Sequence, residues 1–145
     1  MELRELAVLN NVALVEGQEE ELDQVYQEWK RWTNLSASQL RSWAESPVSR
    51  MASINPAAVI KRNLHLLETP KSQWGAKEIA DAKRTISFNQ RMSKAEQGSP
   101  VRKGVPFSKR DISLINWAYR PSTVSSASLS SWSGKKAEIR LKKSN

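Results

Sequence analysis

The chain has no cysteine and only one histidine, His65, and these shortages narrow its chemistry. Without cysteine the protein forms neither a disulfide nor a thiolate metal site, which suits a reducing compartment. One histidine rules out a multi-histidine metal site, and we assign it to the surface or the boundary of the core rather than to catalysis. The sequence therefore predicts no metal and no cofactor.

Long apolar runs are also missing. No stretch approaches the roughly 20 residues that span a bilayer. The start, MELREL, has no basic region followed by an apolar one. We therefore expect a soluble protein without membrane contact. Its expected location is the cytoplasm of the (host) cell, or a virion if the gene is phage-encoded.

Motifs for catalysis are absent as well. The chain has no cysteine nucleophile, no histidine pair, no serine with a plausible triad and no glycine-rich phosphate loop after a strand. We therefore predict that the protein is not an enzyme. The sequence supports an argument about the class of function but not about a reaction.

Positive charge is what the chain has in excess, and it is unevenly distributed. The 145 residues carry a net charge of +8. Residues 1–30 hold eight acidic and two basic residues, whereas residues 31–145 hold 21 basic and seven acidic ones. This split indicates a polyanionic partner, or an N-terminal segment that covers a basic surface. Solubilising surface charge is the alternative explanation.

Apolar periodicity predicts an all-α fold, a small bundle of four to five helices within residues 18–121. The clearest helix covers residues 18–33, where apolar residues recur on one face. A central helix is expected at about residues 74–95 because it has two apolar sides. Helix starts are predicted from the N-cap or capping-box residues Ser36 with Gln39, Asn55 before Pro56, Ser72, and Ser108 with Asp111.

Both ends are expected to differ from the bundle. Residues 1–17 form an apolar N-terminal arm that fits either a helix or two short strands. Residues 122–133 contain seven serines and predict a linker with little to bury. Residues 135–143 alternate apolar and charged side chains, which predicts that the Ser-rich tail, residues 122–145, ends in a short basic strand. The residues expected to dock on a partner are Val8, Val12, Leu14, Ile139 and Leu141.

The candidate functional region is residues 77–119, two predicted helices joined by a basic loop. Asp81 can pair with Lys77 and with Arg84 within the first helix. At the start of the second helix, cations oppose the helix dipole and need an anion. Either Asp111 or a bound phosphate can supply it. The predicted nucleic-acid-binding residues are Arg84, Arg91, Lys94, Arg102, Lys103, Lys109 and Arg110.

The segment SLINWAYRP at 113–121 carries a resemblance. It resembles the ending S-L-x-N-W-G-x-D-P of a small family of uncharacterised bacterial proteins, common in actinobacteria and loosely labelled DNA-binding, with related segments in phage proteins. The similarity covers roughly residues 24–121 and includes NLSASQLRSWAES and R-x-x-x-F-x-x-R-M upstream. Here Ala118 replaces the family's Gly and Arg120 its Asp. The resemblance implies the boundaries of the fold more than a role.

Two functions follow as hypotheses. The first is a small helical protein that binds nucleic acid mainly through phosphates, without a helix-turn-helix or zinc motif for reading bases. The second is a phage virion component or another assembly protein whose arms dock on neighbouring subunits. The partner is then nucleic acid or protein subunits, in a homo- or hetero-oligomer. The two hypotheses are compatible, and the charge distribution favours the first.

Overall fold

The computed structural model describes residues 18–143, and this part of the chain is all-α. It has no strand, only an isolated antiparallel bridge between Pro100 and Ser108. Two short 3-10 helices, Pro47–Arg50 and Lys71–Gln73, lie between α-helices. The α-helices are α1 Gln18–Arg31, α2 Ala37–Ala44, α3 Pro56–Glu68, α4 Ala76–Lys94, α5 Lys109–Asn116, α6 Ser126–Ser131 and α7 Lys136–Lys143.

A small aromatic cluster joins α1 to α4. Leu22, Val25 and Trp29 form the buried stripe of α1, as the periodicity predicts. Trp29 packs edge-on against Trp74, with ring centroids 4.9 Å apart. Ile79 and Ala82 of α4 belong to the same cluster, so the stripe packs α4 against α1.

A second and larger core surrounds Trp43, which is fully buried. Its ring meets that of Phe107 at 5.4 Å, and Phe107 in turn contacts Trp132 at 6.4 Å. Helix α5 runs through this core with six of its eight residues buried. The core therefore draws on α2, on the segment before α5 and on the tail.

The Ser-rich tail is not the linker that its composition predicts. Ser125 caps α6 by accepting a hydrogen bond from the backbone N–H of Ser128, and Leu129 and Trp132 are buried. Serine can start a helix through its side chain, and two apolar residues three apart give that helix a buried face. The predicted bundle of four to five helices thus lacks the two helices of the tail.

The predicted basic strand at residues 135–143 is wrong, because this segment forms α7. Ala137 and Leu141 are buried, while Ile139 is 58% exposed. In a strand, alternation would place all three side chains on one side. In a helix, Ala137 and Leu141, which are four residues apart, share a face, and Ile139 lies on another. Eight residues are too few for periodicity to separate the two patterns.

Helix α5 ends in a left-handed turn at Ala118, whose φ is +66°. The N–H of Ala118 donates to Ile115 O and that of Tyr119 to Leu114 O, both at 2.9 Å. These two bonds form a Schellman motif, which usually has glycine at this position. The Cβ of Ala118 makes this left-handed conformation unfavourable, so the alanine strains the turn.

Asn116 is a buried polar side chain that ties three segments together. Its Oδ1 accepts a hydrogen bond from Trp43 Nε1 at 2.7 Å. Its Nδ2 donates to Ser49 O at 2.9 Å and to Ser53 Oγ at 3.2 Å. The asparagine of the SLINWAYRP segment thus has a structural role, because it holds α2 and the following 3-10 helix against α5.

The helix starts agree in part with their predictions. Ser36 and Gln39 form the predicted capping box, and Ser108 accepts from the N–H of Asp111. Asn55 makes no side-chain cap bond. Ser72 does not cap α4 either, since the helix begins after Gly75, whose N–H donates to Glu78 Oε1 at 2.8 Å.

Glu78 makes the stability of the fold depend on pH. Burial desolvates its carboxylate and by itself raises the pKa, but hydrogen bonds from the Gly75 N–H and from His65 lower the pKa below its ordinary value of 4.5. A carboxylate whose pKa is lowered by folding stabilises the fold at pH values above its pKa in the unfolded state. This stability is lost as the pH falls through the pKa of the folded state. We expect Glu78→Gln to cost about 1 kcal/mol at pH 7.

The pH series that checks this expectation uses urea unfolding between about pH 7 and pH 3. The difference between wild type and Glu78→Gln should shrink as pH falls below 4.5. Glu20→Gln, at an exposed position of α1, is the matched control and should run parallel to wild type. If the free energy of unfolding of Glu78→Gln changed with pH in parallel with that of wild type, the charge of Glu78 would not be the cause of the pH dependence.

Candidate nucleic-acid interface

An open depression on the exposed side of α4 brings two of the predicted cations together with two aromatic rings. Its volume is about 500 Å³. Arg84 and Arg91 lie two helical turns apart on this side, about 10 Å along the axis. The depression is lined by Lys83, Arg84, Ser87, Phe88, Arg91 and Trp117, which we call the α4 depression.

Phe88 and Trp117 form a parallel stack within the depression. Their ring centroids are 4.4 Å apart and the ring planes differ by 16°. Both side chains are half-buried, so the pair stabilises the contact between α4 and the end of α5 while keeping some ring surface in solvent. The sequence identifies both residues as core, and their exposure comes from the position of α4 at the surface.

Guanidinium groups lie over both rings of the stack. The Arg91 Cζ is 5.7 Å from the centroid of Phe88, and the Arg62 Cζ is 4.8 Å from that of Trp117. Arg62 is half-buried, and its Nε has no hydrogen-bond partner within residues 18–143. Sequence reasoning missed Arg62, because it belongs to α3 and only tertiary packing brings it to Trp117.

The acidic neighbours of the α4 depression neutralise it only in part. Arg84 Nη1 is 4.0 Å from Asp81 Oδ1, which confirms the predicted intrahelical pair. Lys83 Nζ is 3.2 Å from Glu21 Oε1 of α1. The side chains of both cations are more than half exposed, and exposed pairs contribute at most about 1 kcal/mol. A phosphate can therefore compete for either cation.

A second group of cations runs from the end of α4 through the basic loop to the start of α5. Lys94, Lys103 and Lys109 are exposed, and Arg102 is half-buried. Gly98 and Gly104 have φ values of +78° and +83°, which a side chain would strain, so the loop depends on glycine at these two turns. The loop returns to α5 through the bridge at Ser108.

Arg110, one of the predicted phosphate contacts, is held by groups of the protein itself. Its side chain is only 12% exposed and bonds Asp111 Oδ1 at 3.0 Å and Ala95 O at 3.0 Å. Asp111 is completely buried and also accepts from Thr123 and Gln97. The anion that this helix start requires is therefore Asp111, and Arg110 joins α5 to the end of α4 and to the tail.

The remaining candidate residues lie away from the depression or outside residues 18–143. His65 is exposed and pairs with Glu78 at 3.0 Å between His65 Nε2 and Glu78 Oε2. Leu141, predicted to dock on a partner, is buried in the core instead, which leaves Ile139 as the exposed one of the two tail residues. The arm residues Val8, Val12 and Leu14 fall outside residues 18–143.

Comparison with known proteins adds no relative: no family model, curated protein or solved structure matches the chain. Within the described residues, no helix is both long enough and apolar enough to cross a membrane. The same residues contain no group of three or more acidic or histidine side chains placed to hold a metal ion.

Proposed function

We propose that the protein is a non-enzymatic nucleic-acid-binding protein that contacts its ligand mainly through phosphates. The observation that carries this proposal is the α4 depression, where Lys83, Arg84 and Arg91 surround an aromatic pair on an exposed helix face. Exposed cations around a shallow surface suit a polyanion, whose binding needs contact along a length rather than an enclosed pocket.

The cations from the end of α4 to the start of α5 extend this surface. Lys94 follows Arg91 by three residues on α4, so both lie on neighbouring parts of one helix face. Arg110 bonds the carbonyl oxygen of Ala95, which places the start of α5 beside the end of α4. Lys109 therefore belongs to the same region as Lys94. The proposed phosphate contacts are Arg84, Arg91, Lys94, Arg102, Lys103 and Lys109, with Lys83 added and Arg110 removed.

The first test removes two cations from the depression. We expect Arg84→Ala/Arg91→Ala to weaken binding of a labelled oligonucleotide. The slope of log K against log salt should become shallower by about 1 to 2 between about 50 and 200 mM salt, because fewer counterions are released on binding when fewer phosphate contacts form. Fluorescence anisotropy measures both quantities.

The matched control is Arg31→Ala/Arg50→Ala, which removes the same charge at two exposed positions outside the depression. This variant should keep the wild-type slope. Equal losses in both double variants would mean that net charge alone attracts the ligand. A wild-type affinity that does not change with salt would reject phosphate binding.

The alternative function is a phage virion protein or another structural subunit of an assembly. Two observations favour it. Ile54, two residues before Pro56, is 99% exposed. An apolar groove of about 280 Å³ is lined in part by Pro56, Ala57, Ile60 and Leu64. Exposed apolar surface of this kind often contacts another protein. Wild-type protein that binds no oligonucleotide at about 50 mM salt and sediments as an oligomer would make this alternative the better one.

A further inference from the structure

We infer that the α4 depression binds single-stranded nucleic acid, with an unpaired base placed against the Phe88–Trp117 pair. This inference rests on the proposed function and specifies its ligand. The rings line an open surface, with Arg84 and Arg91 beside them. Single-strand binding sites combine these two features, a basic groove for the backbone and aromatic side chains for the bases.

The two rings provide an aromatic surface that a phosphate contact does not need. A phosphate contact requires cations and N–H groups, whereas the surface between these cations is formed by Phe88 and Trp117. Bases that are paired and stacked in a duplex cannot reach such a surface. An unpaired base has a flat apolar face of its own, and about 500 Å³ of open space is available for it.

Arg91 is placed to contact the base as well as the backbone. It is exposed, and its guanidinium lies over the ring of Phe88. Guanidinium planes stack on nucleobases as they do on aromatic side chains. Trp117 stacks on one face of Phe88 and Arg91 lies over the ring, so a base that stacks on Phe88 first displaces the exposed Arg91 side chain. The base then lies between Phe88 and Arg91, while Arg84 remains available to a neighbouring phosphate.

Helix α5, which starts with a basic pair, lacks the exposure that reading a duplex requires. A recognition helix enters the major groove with its first residues free to reach the bases. Helix α5 starts with the basic pair Lys109 and Arg110, but six of its eight residues are buried and Arg110 is held by Asp111. The depression on α4 is the better ligand surface, and its shape suits a single strand.

The test compares a labelled pyrimidine oligonucleotide of about 12 nucleotides with a duplex of the same sequence, at one salt concentration. Phosphate contacts alone favour the duplex, because its charge density is higher. We expect the wild type to bind the single strand more tightly. Phe88→Leu should weaken single-strand binding about 5-fold or more and leave the salt slope unchanged, since it removes stacking but no cation.

Phe88→Tyr is the matched control, because it keeps the ring and should keep the affinity for the single strand. If Phe88→Leu fails to fold by circular dichroism, Ser87→Gln tests the same site from an exposed position. It narrows the depression without touching the core and should also lower single-strand affinity. Tighter binding of the duplex, with Phe88→Leu or Ser87→Gln unchanged, would overturn the inference and leave the proposed function standing. Absence of binding to either oligonucleotide would reject both.

Discussion

Removing residues 122–145 is expected to abolish cooperative folding of the protein. The deletion takes away five buried apolar side chains, and burying a valine or leucine contributes about 1.5 to 3 kcal/mol. The expected loss of about 5 to 10 kcal/mol is comparable with the whole stability of a small protein. The lost side chains are Val124, Leu129, Trp132, Ala137 and Leu141.

The deletion also removes polar contacts to the rest of the fold. Thr123 no longer donates to Asp111, and the N–H of Gly134 no longer donates to Ser42 O. Removing only residues 142–145 is the matched control, because Leu141 stays in place and Lys142 and Lys143 are exposed. This short deletion should change the free energy of unfolding by at most about 0.5 kcal/mol. A sharp thermal transition of the 1–121 fragment at the wild-type temperature would contradict the expectation.

Replacing Asn116 with leucine is expected to lower the free energy of unfolding by about 3 to 5 kcal/mol. The substitution leaves Trp43 Nε1 and Ser49 O without partners in the core, and each buried group left unsatisfied costs about 1 to 3 kcal/mol. Leucine keeps the branching of asparagine at Cγ but is larger, so some overpacking at this fully buried position adds to the cost of the lost hydrogen bonds. Urea unfolding measures the change.

Asn34→Leu is the matched control for this experiment. Asn34 also bonds the backbone twice, to Arg120 O at 3.0 Å and from Arg120 N at 2.7 Å, but it is exposed. Water can replace those bonds, so the expected cost is at most about 1 kcal/mol. The double variant Trp43→Phe/Asn116→Leu should cost less than the sum of its single variants, because Trp43→Phe removes one of the unsatisfied groups. Full additivity would show that the two side chains do not interact.

The sequence predicts the fold correctly where the structure depends on residues that are close together in the chain. The stripe of α1 and the capping box at Ser36 each depend on neighbouring residues, and the structure confirms both. The prediction for the tail is wrong because the many serines indicate a linker, whereas the segment forms a helix that packs through Leu129 and Trp132. Their spacing of three residues was the available signal, but composition alone favours a linker.

The candidate site is predictable only to the extent that it lies on one helix. The spacing of Arg84 and Arg91 places both on one side of α4, and the α4 depression contains both. Arg62 and Trp117 join them from other segments, through contacts that no local pattern encodes. The burial of Arg110 likewise depends on Ala95 and Thr123, which are distant in sequence.

The hydrogen bonds of Asn116 and Asn34 also have a kinetic consequence. Asn116 bonds Trp43 across 73 residues and Ser49 across 67, and Asn34 bonds Arg120 across 86. Helical proteins usually fold fast because most of their contacts are local. Here the central core cannot form until distant segments have met, and closing such long loops costs entropy before any contact is made. Folding of this chain should therefore be slower than its helical content suggests, with apolar surface exposed until the tail has docked.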